Sequence, residues 1–177
     1  MTTIQAFHQQ SIDNPDKFWA TEARRIDWQT PFEQVLDYSR PPFARWFVGG
    51  RTNLCHNAVD RHAAKRPNER ALVFVSTETD REVVYSFAEL KSEVMRMAAV
   101  IQRLGVGRGD RVLIYMPMIP EAAFAMLACA RIGAIHSVVF GGFASGSLAT
   151  RIDDATPKLV VSSDAGMRGG KAVPYKH

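Results

Sequence analysis

Cysteine is scarce in this chain. Cys55 and Cys129 are the only two in 177 residues, too few and too far apart for a disulfide framework, which places the protein in a reducing, cytoplasmic setting. No apolar run approaches the ~20 residues that a membrane-spanning helix requires, so no membrane partner is expected. The opening stretch MTTIQAFHQQ has neither a basic nor an apolar segment, and no signal peptide is expected. Basic runs are missing too. The net charge of +4 comes from arginines spread along the chain, which argues against a nucleic-acid partner. No histidines or cysteines stand at metal-ligand spacing, so no metal site is expected. What remains is a composition of 46% hydrophobic and 23% charged residues, that of a globular protein.

Residues 1–50 form an arm in this reading, and 51–177 the first part of a larger domain. In the arm, Asn14 and Pro15 supply an N-cap and a first helical position, and Phe18, Trp19, Ala23 and Ile26 recur at helical spacing. The following WQTPFEQVLDYSRPPFARWFVGGRTN is rich in aromatics, proline and glycine without a sustained period. It is expected as an extended segment whose rings pack onto a larger body.

From Asn53 the pattern becomes regular. A helix is predicted from Leu54 to before Pro67, then two strands, Ala71–Val75 and Arg81–Tyr85, across a polar turn. Ser86 and Glu89 form a capping box, and Phe87, Leu90, Val94, Met97, Ala98, Ile101 and Leu104 share one face of the next helix. A β-α-β-α-β run follows. Strand RVLIYM (111–116) leads to a helix opened by Pro120 and ended by Gly133. Strand IHSVVF (135–140) leads to a helix from Gly146 to Ala155, and LVVSS (159–163) is the third strand. Almost wholly apolar short strands alternating with helices predict an α/β fold with a parallel sheet and right-handed crossovers. The 111–116 strand and the 121–132 helix are so apolar that the chain alone is expected to leave them partly uncovered and to associate.

Parallel strands end along one edge of their sheet, the edge where open α/β sheets bind ligands. Phe140, Gly141 and Gly142 close the second strand there, and Arg168, Gly169, Gly170 and Lys171 follow the third. Bare backbone and two cations on one edge make a cradle for a phosphorylated ligand; solvated turn residues are the alternative. Gly166 to Lys171 is no Walker A loop, since Ala172 stands where Ser or Thr is required. Gly105 to Gly109 precedes a strand, where a dinucleotide fingerprint follows one. His136 beside Ser137 has no acid to complete a triad and is expected buried and hydrogen-bonded. Asp153 and Asp154 are expected on a solvated face, and Cys129 as a small core residue.

Three stretches, SRPPFARWFVGGRTNLCHNAVDRH, GDRVLIYMPMIPEAAFAMLACARIGAIHSVVFGGF and SDAGMRGGK, resemble the acetyl-CoA synthetase branch of the acyl-adenylate-forming enzymes, and within it the propionate-activating members. The resemblance covers essentially the whole chain, and family members are several times longer. It implies a ligase that joins a short-chain carboxylate to coenzyme A through an acyl-AMP made from ATP and Mg²⁺, with a homo-oligomer admitted. It also implies that the segment at Phe140, Gly141 and Gly142 lines the coenzyme A site, and that Arg168, Gly169, Gly170 and Lys171 meet the phosphates of its nucleotide end. Lys171 stands where acetyl-specific members carry arginine, and offers a point charge in place of a fork. The ATP phosphate loop, the acyl pocket, the Mg²⁺ ligands and the catalytic lysine of the family are not among these 177 residues. The resemblance therefore implies no catalytic residue here, an inactive segment alone, and the remainder of a full-length enzyme as its partner. A free-standing α/β module that binds a phosphorylated nucleotide without catalysis is the alternative reading.

Overall fold

The structure is a computed structural model that describes residues 3–141 and 145–175, Phe140 by its backbone alone. The chain divides into two compact units, Met1–Asn53 and Leu54–His177.

In the first unit, α1 (Ile4–Asp13) and α2 (Pro15–Glu22) meet at Asn14, whose side chain accepts a hydrogen bond from the Lys17 amide. The long aromatic segment is not irregular. Strands β1 (Gln34–Arg40) and β2 (Phe43–Val48) pair antiparallel, turning at a cis Pro41–Pro42 bond. Sequence reading missed this hairpin because its sides are not sorted into apolar and polar: Tyr38, Phe43 and Trp46 are all exposed. Its rings pack within the unit. Trp28, Phe32 and Phe47 form one cluster with centroids 5.1–5.5 Å apart, and Trp19 stacks edge-on against Trp46 at 6.0 Å. Edge-to-face pairs of this kind add about 0.5–1.5 kcal/mol each beyond the area they bury.

The second unit opens with a helical stretch ending in α3 (Arg61–Lys65), followed by the antiparallel hairpin β3 (Arg70–Ser76) and β4 (Arg81–Ser86). Helix α4 (Phe87–Arg103) starts on the capping box: the Glu89 amide donates to Ser86 Oγ at 3.3 Å, and the Ser86 amide donates to Glu89 Oε2 at 2.8 Å. Phe87, Leu90, Val94, Ala98 and Ile101 are buried, whereas Leu104 lies past the last turn and is exposed. The helix faces α5 (Pro120–Ile132), which Gly133 ends in the left-handed conformation at φ 74°.

Three strands form the parallel sheet in the order β6 (Ile135–Phe140), β5 (Arg111–Met116), β7 (Leu159–Ser162). The chain steps one way from β5 to β6 and back past β5 to β7. Right-handed crossovers then require the two connecting helices on opposite faces. The alternation along β5 matches this. Val112, Ile114 and Met116 join the core with α4 and α5, while Leu113 and Tyr115 pack with Leu148 and Ile152 of α6 (Ser145–Ala155). Consequently β5 is buried on both faces from Val112 to Met116, and α5 buries Phe124, Ala125, Ala128 and Cys129. The expectation that these two elements lack cover is corrected for β5, whereas on α5 Met126, Leu127, Ala130 and Ile132 are only partly buried. Exposed apolar residues lie on the flanking strands instead, at Ile135, Val138 and Val160.

One further expectation is corrected. His136 is exposed, because β6 lies at the edge of the sheet. The stretch after β7 forms a third antiparallel hairpin, β8 (Ala165–Arg168) with β9 (Lys171–Pro174).

Candidate functional site

In this sheet β5 leaves toward one face and β6 toward the other, and connections that diverge in this way open a crevice at the carboxyl ends of the strands. A cleft of about 640 Å³ lies there. Pro117, Met118 and Ile119 after β5, Gly141 after β6, and Ser163 and Asp164 after β7 line it, with the β8–β9 hairpin on one side and the β3–β4 turn on another. Its charged lining is mixed: Glu78, Glu121 and Asp164 with Arg81 and Arg168.

Gly141 and Arg168 thus reach the same cleft, as the parallel-sheet argument expects. Gly142 lies outside the described residues, as does the side chain of Phe140. Gly169, Gly170 and Lys171 lie at the exposed tip of the hairpin. There Arg168 pairs with Lys171 across a two-residue turn, and Gly169 and Gly170 hold φ of 58° and 72°. Positive φ at both central residues is the turn that matches the twist of a β-hairpin, and it favours glycine at each. The two glycines are there for the turn.

The reason for glycine at 141 is different. The ring of Tyr175 lies over it, so that a Cβ on Gly141 would stand 2.5 Å from the phenol oxygen, and a Cβ on Gly166 would also collide with that oxygen. The Tyr175 amide donates to the Asp164 carbonyl at 2.8 Å, closing the base of the hairpin, and its ring packs tilted against Tyr115, with centroids 5.1 Å apart. Burial pushes the phenol above its ordinary range, the neighbouring Tyr115 adds to the rise, and Arg168 opposes it. The bare backbone expected to admit a ligand is therefore met by an aromatic of the same chain.

Sequence reasoning also missed Glu78. From the turn between β3 and β4 its carboxylate accepts hydrogen bonds from the Gly169 amide at 3.1 Å and from the Gly170 amide at 2.8 Å. These two donors, Gly170 first, hold the carboxyl below its ordinary range. No spacing signals such a contact, since the partners are about ninety residues apart.

Elsewhere in the unit, Asp60 accepts from Arg131 Nη1 at 2.8 and 3.0 Å and lies 3.7 Å from Lys91 Nζ. This ties the first helical stretch to α4 and α5. Among the described residues, no three His, Cys, Asp or Glu side chains gather as a metal site, and no helix is long and apolar enough to cross a membrane.

Two family models match in tandem: the acetyl-coenzyme A synthetase N-terminus over residues 4–58, and the AMP-binding enzyme over residues 59–174. The chain is 65% identical to the propionate–CoA ligase of Escherichia coli over 174 residues, 98% of this chain and 28% of that protein. It is 49% identical to the acetyl-coenzyme A synthetase of Methylobacterium radiotolerans over 169 residues, 94% of this chain and 26% of that protein. The acetoacetyl-CoA synthetase from Streptomyces lividans superposes with a TM-score of 0.89 at 35% identity, over 98% of this chain and 27% of its own. The chain thus spans little more than a quarter of the length of these relatives. The second model runs through β5, β6, β7 and the β8–β9 hairpin, the elements that build the cleft, and the chain belongs to the AMP-binding enzyme family.

Proposed function

We propose that the chain is the amino-terminal part of an AMP-forming short-chain acyl-CoA synthetase whose acid is propionate. The carboxylate displaces diphosphate from ATP to give propionyl-AMP, and the thiol of coenzyme A then displaces AMP to give the thioester. The observation that carries this reading is a difference in identity over nearly the same stretch. It is 65–66% to propionate–CoA ligases and 46–49% to acetyl-coenzyme A synthetases. Residues 1–50 serve as the arm and 51–177 as the first part of the adenylate-forming domain, in a cytoplasmic enzyme.

In this reading Phe140, Gly141, Gly142, Arg168, Gly169, Gly170 and Lys171 contribute to the coenzyme A site. The convergence of Gly141 and Arg168 on one cleft supports it, as does the position of that cleft at the carboxyl ends of parallel strands. ATP and Mg²⁺ are assigned to the part of the relatives' length that lies outside this chain.

The test is acid-dependent pyrophosphate exchange and thioester formation by the protein at the full length of its relatives, with propionate and acetate compared. Propionate should give the higher kcat/KM. Equal or reversed preference would overturn the choice of acid, and no exchange with any short-chain acid would overturn the ligase.

A further inference from the structure

We propose that Glu78 is a built-in competitor for the phosphate that the β8–β9 turn receives, and so sets the apparent affinity for coenzyme A. The proposal rests on the reading that this hairpin meets the phosphates of coenzyme A.

The tip of the hairpin is an anion site by construction. Positive φ at Gly169 and Gly170 turns two successive amides toward one acceptor, and successive amides so arranged form a concavity that favours anions. Arg168 and Lys171 flank the pair in register. In this structure the acceptor is the Glu78 carboxylate, one oxygen on each amide at 3.1 and 2.8 Å. A carboxylate and a phosphate each offer two oxygens to such a donor pair, and two anions cannot share it. A phosphate that uses these amides therefore has to displace Glu78.

Displacement is feasible because of where Glu78 sits. It is exposed, in the turn from Thr77 to Asp80 that links β3 to β4, and charge-assisted bonds in water are weak enough to exchange. Yet the carboxylate is tethered close by, which keeps its effective concentration at the tip far above that of a free competitor. The fraction of molecules with a vacant tip divides into the intrinsic dissociation constant, so the occupied state weakens apparent binding by that factor. Removing the charge on Glu78 should then strengthen coenzyme A binding, the opposite of removing a ligand-binding group.

The test is Glu78→Gln in the full-length protein, read as KM for coenzyme A against kcat, with pyrophosphate exchange normalising for active enzyme. The expected result is a KM lowered about three- to tenfold, as follows from the loss of charge-assisted hydrogen bonds. In an Arg168→Ala background Glu78→Gln should give a similar fold gain, because the vacant fraction does not depend on how firmly the phosphate is held. A KM that rises in Glu78→Gln would make Glu78 a strut that orders the hairpin and would overturn the proposal. An unchanged KM would also overturn it. If Arg168→Ala still raises KM in that case, the hairpin keeps its coenzyme A role and only the competition is wrong; if Arg168→Ala leaves KM unchanged, the hairpin reading itself fails.

Discussion

Tyr175 lies over Gly141, its ring so close that a Cβ on the glycine would come within 2.5 Å of the phenol oxygen. Gly141→Ala must displace the ring or the end of β6. Overpacking of this kind costs about 1–3 kcal/mol. Tyr175→Ala should remove the clash, so that the two substitutions together cost less than the sum of each alone. A double-mutant cycle by urea unfolding measures the coupling, and strict additivity would show that ring and glycine do not meet.

Arg168 is the cation that lines the cleft from the hairpin. A hydrogen bond to a charged group contributes roughly 1.5–3 kcal/mol, so under the proposed coenzyme A role Arg168→Ala in the full-length protein should weaken coenzyme A use about ten- to a hundredfold. Arg168→Lys should recover only part of this, since an ammonium lacks the planar fork. Initial rates of thioester formation against coenzyme A concentration, beside pyrophosphate exchange, separate binding from folding. An equal loss in both assays would mean that Arg168 holds the fold.

Arg131 reaches the Asp60 carboxylate from α5, with both oxygens within 3.0 Å of one guanidinium nitrogen. The pair is largely shielded, and Asp60 keeps Lys91 only at 3.7 Å. Arg131→Ala should therefore destabilise by about 1–3 kcal/mol, more than an exposed pair and less than a fully buried one. The midpoint of urea unfolding measures it. A loss below the scatter of surface substitutions would show that Lys91 takes over the carboxylate.

Cys55 and Cys129 are both fully buried. Burial pushes the Cys129 thiol up to about 11 and raises that of Cys55 as well. Because the thiolate is the reactive form, neither cysteine should be alkylated in the folded protein at neutral pH, and both should react once it is unfolded. Rapid labelling of either in the native state, followed by mass spectrometry, would contradict the packing described.

Asp110 accepts hydrogen bonds from Lys158 Nζ at 2.9 Å and the Gly107 amide at 2.7 Å. The Lys158 bond first, and then the Gly107 amide, hold its carboxyl below the ordinary range. A folded-state pKa below the unfolded value gives stability that is complete above the unfolded value of about 3.9 and is lost as pH falls through the lower one. Asp110→Asn should therefore lower the unfolding midpoint at neutral pH, with the gap to wild type closing only in strong acid. A gap of constant size at all pH values would mean that the side chain acts by shape and not by charge.

Local sequence determined much of this fold. The almost wholly apolar run at 111–116, followed by a helix of the right length, calls for a central strand covered on both faces, and that is how β5 is buried. Capping chemistry at Ser86 and Glu89 and the left-handed stop at Gly133 are properties of a few neighbouring residues, so they were legible too. The β1–β2 hairpin was not, because its aromatics follow no two-residue period and its order comes from ring packing within the unit. Likewise His136 could be placed on a strand but not at a sheet edge, since strand order is not a local property. The candidate site divides in the same way. Glycines 169 and 170 announce a turn, and parallel strands announce which edge holds the cleft. That Tyr175 covers Gly141 and that Glu78 sits on the turn amides was decided by tertiary structure alone, because such contacts join residues tens of positions apart that no local pattern relates.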